Sequence, residues 1–409
     1  MSTTSSSSGP TSPKIIFVMA LLVAVFAAAV IDVILPINIV DIAATFGVLP
    51  GTVGQLNSII AITSVVTALL LAAFGARFKY KTLVMIGVSF IAVCAIGLFL
   101  APSFPMVQLI VLLNGAGSVL IVVTSQTFIG NSYPLEKKAK AIGWIAATGT
   151  LANAVGAPLV GFMTGIGSWR SSLIWFMLPT AVVSLIFVFL AFPYNPPEPQ
   201  MNIKKEPFMK GFKQVLTNKS AVACLTSAFL GSAFVFGGVV FEVTFLRQVF
   251  LVSPSLAALV GTLVGTAFIT VGALVGGQVV NRVGRKRLAV AASFLAGLFM
   301  LLSFFMQDLG IFLALRWTAS FLVGILLAAA SNLTLEQVPM LRGTTMSLAS
   351  AFSGIGTALG VTLAGAVLNL YIDATMGFQA LGLTIGVLAS ADALVLLFVA
   401  KEPIRTASF

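Results

Sequence analysis

Four ionisable side chains stand inside long apolar runs: Asp32, Glu242, Arg316 and Asp392. At the centre of a membrane helix each costs at least about 2.5–3.5 kcal/mol, so such a residue faces a cavity or a partner rather than lipid. A carboxylate there can bind a proton or a cation, and an arginine can pair with it or hold an anion. The chemistry on offer is charge coupling. Covalent catalysis has little to use. The chain has no histidine, which removes imidazole relays and histidine metal sites. Cys94 and Cys224 stand apart in apolar runs, with neither a CxxC pair nor a disulfide framework. Phosphate-binding loops and nucleophile–base pairs are missing. The reading is therefore no enzyme, no cofactor and no metal.

Composition says what solvent surrounds these residues. The 409 residues are 59% hydrophobic before the 37 glycines are added, and only 8% are charged. A mean hydropathy of +1.12 leaves too few polar residues to cover a water-facing surface. A soluble globule, a disordered chain and a fibrous repeat are all excluded, and the partner of most of the surface is a lipid bilayer. The net charge of +11 does not indicate nucleic acid. The basic residues sit in short clusters between apolar runs, as a membrane topology would place them.

Positioning the four charges requires transmembrane helices. A helix crosses the hydrocarbon with roughly 20 apolar residues, and that ruler gives twelve runs, from about 15–40 to about 377–400. The runs are unbroken, without the alternation of a lipid-spanning barrel. The expected fold is all-α. With the N-terminus inside, the inner loops and tails hold 19 of the 22 basic residues, the exceptions being Arg170, Arg247 and Arg316. The expected organisation is a polar cytoplasmic tail (1–14), a six-helix bundle (15–191), a cytoplasmic linker (192–218), a second six-helix bundle (219–400) and a cytoplasmic tail (401–409). The run after Lys14 is too long for a signal peptide and reads as a retained helix. Both termini are expected in the cytoplasm, at the inner or plasma membrane.

The halves repeat. At an offset of 205, Arg77 matches Arg282, Lys81 matches Lys286 and Pro134 matches Pro339; at 204, Gly156 matches Gly360 and Gly161 matches Gly365. Parallel six-helix repeats of this kind build transporters whose substrate site lies between the halves near the midplane.

Three segments carry a family resemblance. GQVVNRVGRKRL (Gly277 to Leu288, including Asn281, Arg282, Gly284 and Arg285) is similar to motif A of the major facilitator superfamily, with Asn281 where the family has aspartate. The first-half copy, AAFGARFKYKTL, keeps Arg77 and Lys81. GTLANAVGAPLVG, with Gly149, Gly156, Pro158 and Gly161, resembles motif C of the fifth helix, and GSWRSSLIWFMLP resembles the W-R entry to the sixth. Together they resemble the twelve-helix drug–proton antiporters. The resemblance implies that motif A loops latch helices in one conformation, that the motif C stretch is a hinge in an exporter, and that monomers are usual. Proline removes one helix hydrogen bond, so a kink is expected at Pro158.

The resemblance further implies a cavity lined by the first, fourth, seventh and tenth helices. Asp32, Glu242 and Arg316 lie on three of these and are the proton-coupling candidates. The family's fourth-helix arginine is replaced by Val111, and Arg316 follows it by 205 residues, so the cavity cation is expected to have moved to the symmetry-related helix. Asp32 lies about 25 Å along its helix from the inner end, in the outer half. Glu242 precedes Arg247 by five residues and has an interfacial pair with it as the alternative, while the alternative for Arg316 is a structural pair with Glu242. Asp392 lies about 22 Å below the outer end of the twelfth helix, which the family packs outside the cavity, so it is set aside. The amides Asn38, Gln126, Asn153 and Asn332 are candidates for substrate contact, with hydrogen bonding between helices as the alternative.

The functional expectation is a secondary transporter exporting a small amphipathic or apolar organic molecule in exchange for protons. Two alternatives stay open. One is proton-coupled import of an organic anion or sugar, which Arg316 would suit. The other is a transporter-like receptor or scaffold without flux.

Overall fold

The structure is a computed structural model and describes residues 15–132, 135–191 and 208–402. Twelve helices are long and apolar enough to cross a membrane, and there is no strand among the described residues. We number them span 1 (Ile16–Ile37), span 2 (Pro50–Ala72), span 3 (Tyr80–Leu100), span 4 (Phe104–Gly130), span 5 (Gly143–Ile166), span 6 (Trp169–Ala191), span 7 (Lys219–Gln248), span 8 (Pro254–Val280), span 9 (Arg285–Ser303), span 10 (Leu309–Leu335), span 11 (Pro339–Asn369) and span 12 (Ala374–Phe398). Twelve crossings bring the start of span 1 and the end of span 12 to one face. We call it the terminal face, and the opposite one the far face.

Local chemistry sets the helix ends. Asn218, Ser253, Asp308 and Asp373 are extended N-caps whose side chains accept backbone N–H groups of the first turn. Asp308 and Asp373 are thus exposed far-face caps. Pro50 and Pro254 open spans 2 and 8 where a missing N–H costs nothing. Gly284 separates spans 8 and 9 at φ +102°, a conformation that side chains rarely adopt.

Spans 1 and 7 are broken at corresponding depths. Span 1 is interrupted at Val30, one residue before the helix Ile31–Ile37. Pro36 lies inside that short helix, and its missing N–H frees the carbonyl of Asp32 one turn earlier. Span 7 is interrupted at Val240 and Phe241, and Glu242 opens the next helix. Pro158, by contrast, stays inside one uninterrupted helix, Leu135–Ile166.

Spans 2 and 11, and spans 5 and 8, pack across the two sets of six helices. The repeated glycines make the far-face contacts. Gly161 of span 5 has room only for hydrogen against Ala258 and Ser255 of span 8. Its repeat mate Gly365 of span 11 has room only for hydrogen against the backbone of Gly51 in span 2. Small residues that let backbones meet are the usual means of joining membrane helices.

The stretch expected as a polar linker carries one further helix, Phe208–Thr217. It buries Val215 and packs Phe212 beside Ala221, Leu225 and Leu348 of spans 7 and 11. Four lysines in the stretch mask an apolar stripe of only a few residues.

Candidate functional site

A cavity of about 790 Å³ lies between the two sets of helices. Gly161, Gly365 and Gly51 close it at the far face, together with Phe241, which packs against Gly54. It reaches Cys224, Thr334 and Met346, which lie near the terminal-face ends of spans 7, 10 and 11. The wall is mixed. Ile60, Val235, Phe236, Val239, Ile269 and Leu326 give it an apolar body, and Asn57, Ser64, Asn153, Ser232 and Ser353 add small polar groups.

Asp32 lines this cavity and is exposed to it. None of the described residues gives its carboxylate a hydrogen bond or an ion pair. The backbone beneath it is irregular, for the reasons given by Val30 and Pro36. The hydroxyl of Ser118 in span 4 donates to the carbonyl of Ala28 at 3.3 Å, where the break leaves an acceptor. The acid is thus held by its backbone and left free at its side chain.

Glu242 and Arg316 meet each other instead of the cavity. Arg316 Nε donates to Glu242 Oε2 at 2.8 Å. Both are buried, with Arg316 at 0% exposure, and neither lines the cavity. The guanidinium lies 5.8 Å from the centroid of Phe304, within a cluster of Phe245, Phe304, Phe312 and Phe378. Arg247 pairs with Asp41 rather than with Glu242, through Nη1 to Oδ2 and Nη2 to Oδ1 at 2.9 Å, and Nη1 also donates to the carbonyl of Ile37 at 3.3 Å.

That pair ties the far-face extension of span 1 to the end of span 7, and so one half to the other. It is only partly buried, at 11% and 27% side-chain exposure, so it contributes about 1 kcal/mol at most to far-face closure. Asp41→Asn is expected to shift the balance toward far-face opening by about fivefold. Solvent labelling of a cysteine placed at Val53, a buried position in the first turn of span 2, would report it; an unchanged labelling rate would remove the pair from the closure.

The candidate amides divide. Asn153 lines the cavity and donates to the carbonyl of Gly149 at 3.1 Å. Asn38 is buried, donating to Ile34 O at 2.8 Å and accepting from Thr164 of span 5 at 2.6 Å. Gln126 is exposed outside the cavity, and Asn332 donates to Ala328 O at 2.8 Å away from it. A Cβ on Gly149 or Gly277 would meet nothing within 4 Å, whereas one on Gly156 would press on Phe176 and Val33 at 3.2–3.3 Å.

The motif A loops hold their own halves together. Lys81 Nζ donates to Phe189 O at the end of span 6, at 2.7 Å. Beyond Gly284, the backbone N–H groups of Arg285 and Lys286 donate to the carboxylate of Glu402, just past span 12, at 2.7 and 3.0 Å. Arg77 and Arg282 are exposed, and the side chain of Asn281 lies outside the described residues.

Asp392 needs correction. It borders the cavity from just behind the wall, with no exposed surface, rather than packing elsewhere. Span 12 approaches the cavity through span 7, where Gly231 presents no side chain between them. Other lining residues were also missed, and a periodicity could have found them. Asn57, Ala61 and Ser64 fall on one face of span 2, as do Ser350, Ser353 and Thr357 on span 11.

Comparison with known proteins fits this architecture. The model of the Major Facilitator Superfamily matches residues 20–250 and 238–408, and the chain belongs to that superfamily. With its twelve spans it is a multi-pass membrane protein of that superfamily. It is 33% identical over 121 residues to the uncharacterized MFS-type transporter YcnB of Bacillus subtilis, covering 30% of this chain and 25% of that one. It is 34% identical over 145 residues to the 4-hydroxybenzoate transporter PcaK of Pseudomonas aeruginosa, covering 35% and 30%. The chain thus spans under a third of the length of these relatives. Among solved structures, a bacterial homologue of the human lysosomal transporter Spinster, in an inward-facing and occupied conformation, superposes with a TM-score of 0.78 at 18% identity, covering 93% of this chain and 96% of that one. A D-xylose–proton symporter gives 0.77 at 14% identity, covering 95% and 99%.

Proposed function

We propose that this transporter exports a small amphipathic or apolar organic compound in exchange for protons. The observation that carries the reading is the unpaired carboxylate of Asp32 at the closed end of a largely apolar cavity. Among the described residues no arginine or lysine lines that cavity. An apolar wall with an acid in it favours a neutral or cationic amphipath and gives an organic anion no partner. The alternative of anion import, which leaned on Arg316, loses its support because that guanidinium is engaged with Glu242.

In this reading the terminal face is cytoplasmic, the membrane is the inner or plasma membrane, and the cavity is open inward. Asp32 takes a proton from outside when the far face opens. Neutralisation removes the cost of enclosing an unpaired charge, and the cavity then closes toward the far face. Opened inward, Asp32 gives up its proton and substrate binds again. A single protomer suffices for this cycle.

Purified protein screened by thermal shift against neutral and cationic amphipaths tests the pairing of substrate with proton. A compound is expected to stabilise the parent in a pH-dependent way and Asp32→Asn independently of pH. Undiminished pH dependence in the variant would remove Asp32 from the mechanism. Direction is read in vesicles with the same compound: accumulation should follow an acidic interior, against proton flow. Accumulation with an acidic exterior would establish symport instead.

A further inference from the structure

Asp392 is a second carboxylate on the cavity, and the cycle above does not use it. It lies six residues before the end of span 12, about 9 Å of helix rise from the terminal face. Asp32 lies five residues before the end of span 1, about 7–8 Å from the far-face end. One cavity therefore carries an acid at each depth, one from each half.

The surroundings of Asp392 define what it can bind. Its side chain is fully buried behind the cavity wall, at 0% exposure. Ser293 of span 9 donates to Oδ2 at 2.6 Å, and the hydroxyl of Ser227 in span 7 lies within hydrogen-bonding reach. Oδ1 has no partner. The wall is thin at Gly231, where a Cβ would stand 3.7 Å from Oδ2 and touch nothing else.

Span 12 packs on spans 7, 9 and 11. On span 7 the thiol of Cys224 borders the same cavity, and Lys219 opens the span eight residues before Ser227, about 12 Å along the helix. The charges of span 9, Arg285, Lys286 and Arg287, begin six or more residues before Ser293, at least about 9 Å along the helix. Arg342 of span 11 lies in its first turn, with Glu336. Glu242 and Arg316 hold each other. No cation among the described residues reaches Asp392. Two hydroxyls cannot offset an ionised carboxylate shut away from water and cations. The acid form, by contrast, adds an O–H donor, and serine hydroxyls accept as readily as they donate. A hard metal cation would collect about six or more oxygen ligands, more than this site offers.

We propose that Asp392 is a second proton-binding site, loaded through the terminal-face end of the cavity. Its partners Ser293 and Ser227 belong to spans 9 and 7 of one half, so it takes and releases a proton without one half moving against the other. The site stands on the cavity wall and does not depend on the direction of transport.

Infrared spectroscopy of the purified full-length protein tests it, through the carbonyl stretch that a carboxyl shows only when protonated. The Asp32→Asn background removes the other cavity acid. Acidification should then raise a carboxylic-acid band that is missing in Asp32→Asn/Asp392→Asn. Ser293→Ala, which keeps the acid and strips one hydrogen bond, should move the frequency of the same band. That variant holds the test even if loss of the acid impairs folding. Coincident spectra with and without Asp392, or a band unmoved by Ser293→Ala, would overturn the proposal. So would a band suppressed by sodium and restored by choline at fixed pH, which would make the ligand a metal cation. Failure of proton-driven transport would leave these spectra unaffected, so the two readings fail separately.

Discussion

Arg316→Met is expected to cost the folded protein about 3–5 kcal/mol, and Arg316→Met combined with Glu242→Met to recover most of that loss. The guanidinium and the carboxylate are buried together, joined by one 2.8 Å bond. Removing either leaves a full charge in a pocket walled by Phe245, Phe304 and Phe312, where neither water nor a new partner can reach it. Removing both replaces two desolvated charges by apolar volume, which the phenylalanine cluster can pack around. Both Nη atoms of Arg316 and Oε1 of Glu242 already lack partners, so the intact pair carries an unrepaid desolvation cost. Thermal unfolding in detergent across the double-mutant cycle measures this. Two additive losses would show that the side chains do not depend on each other.

Asp32→Asn is expected to abolish proton-driven accumulation while sparing exchange of labelled for unlabelled substrate. One charge crossing 100 mV is worth about 2.3 kcal/mol, so each coupled proton supports roughly a 50-fold gradient. The variant should fall from that level to none. Asparagine keeps the shape and removes the titration, and no partner in the described structure depends on the carboxylate. Loss of exchange along with accumulation would mean that Asp32 holds substrate or structure rather than a proton.

The number of crossings could be read from the residues because lipid enforces it. A helix that must satisfy every backbone group in hydrocarbon needs a long apolar run, and all twelve such runs became spans. The repeat could be read too, and Gly161 and Gly365 turned out to be matched contacts at the far face. What hydropathy does not record is which side of a uniformly apolar helix looks inward. Glu242 and Arg316 were legible as buried charges, and the structural pair between them that stood as the alternative for Arg316 is the one the packing of spans 7 and 10 forms. Asp392 was set aside because its helix belongs to the outer ring in the family. Gly231, a residue with no side chain, is what brings it to the cavity wall. The small polar faces of spans 2 and 11 were present as three- and four-residue spacings, but single serines, threonines and asparagines barely alter the hydropathy of a long apolar run.

The proposed cycle requires Asp32 to link a proton to the movement of one half against the other. Spin labels at Leu49→Cys and Leu370→Cys, exposed far-face positions at the entry to span 2 and the exit from span 11, report that movement as a distance distribution in lipid. The parent should show a closed and an open population whose ratio changes with pH. Asp32→Asn should hold one ratio at every pH, and Asp392→Asn should titrate like the parent. A single population throughout, or an unaltered pH response in Asp32→Asn, would contradict the account.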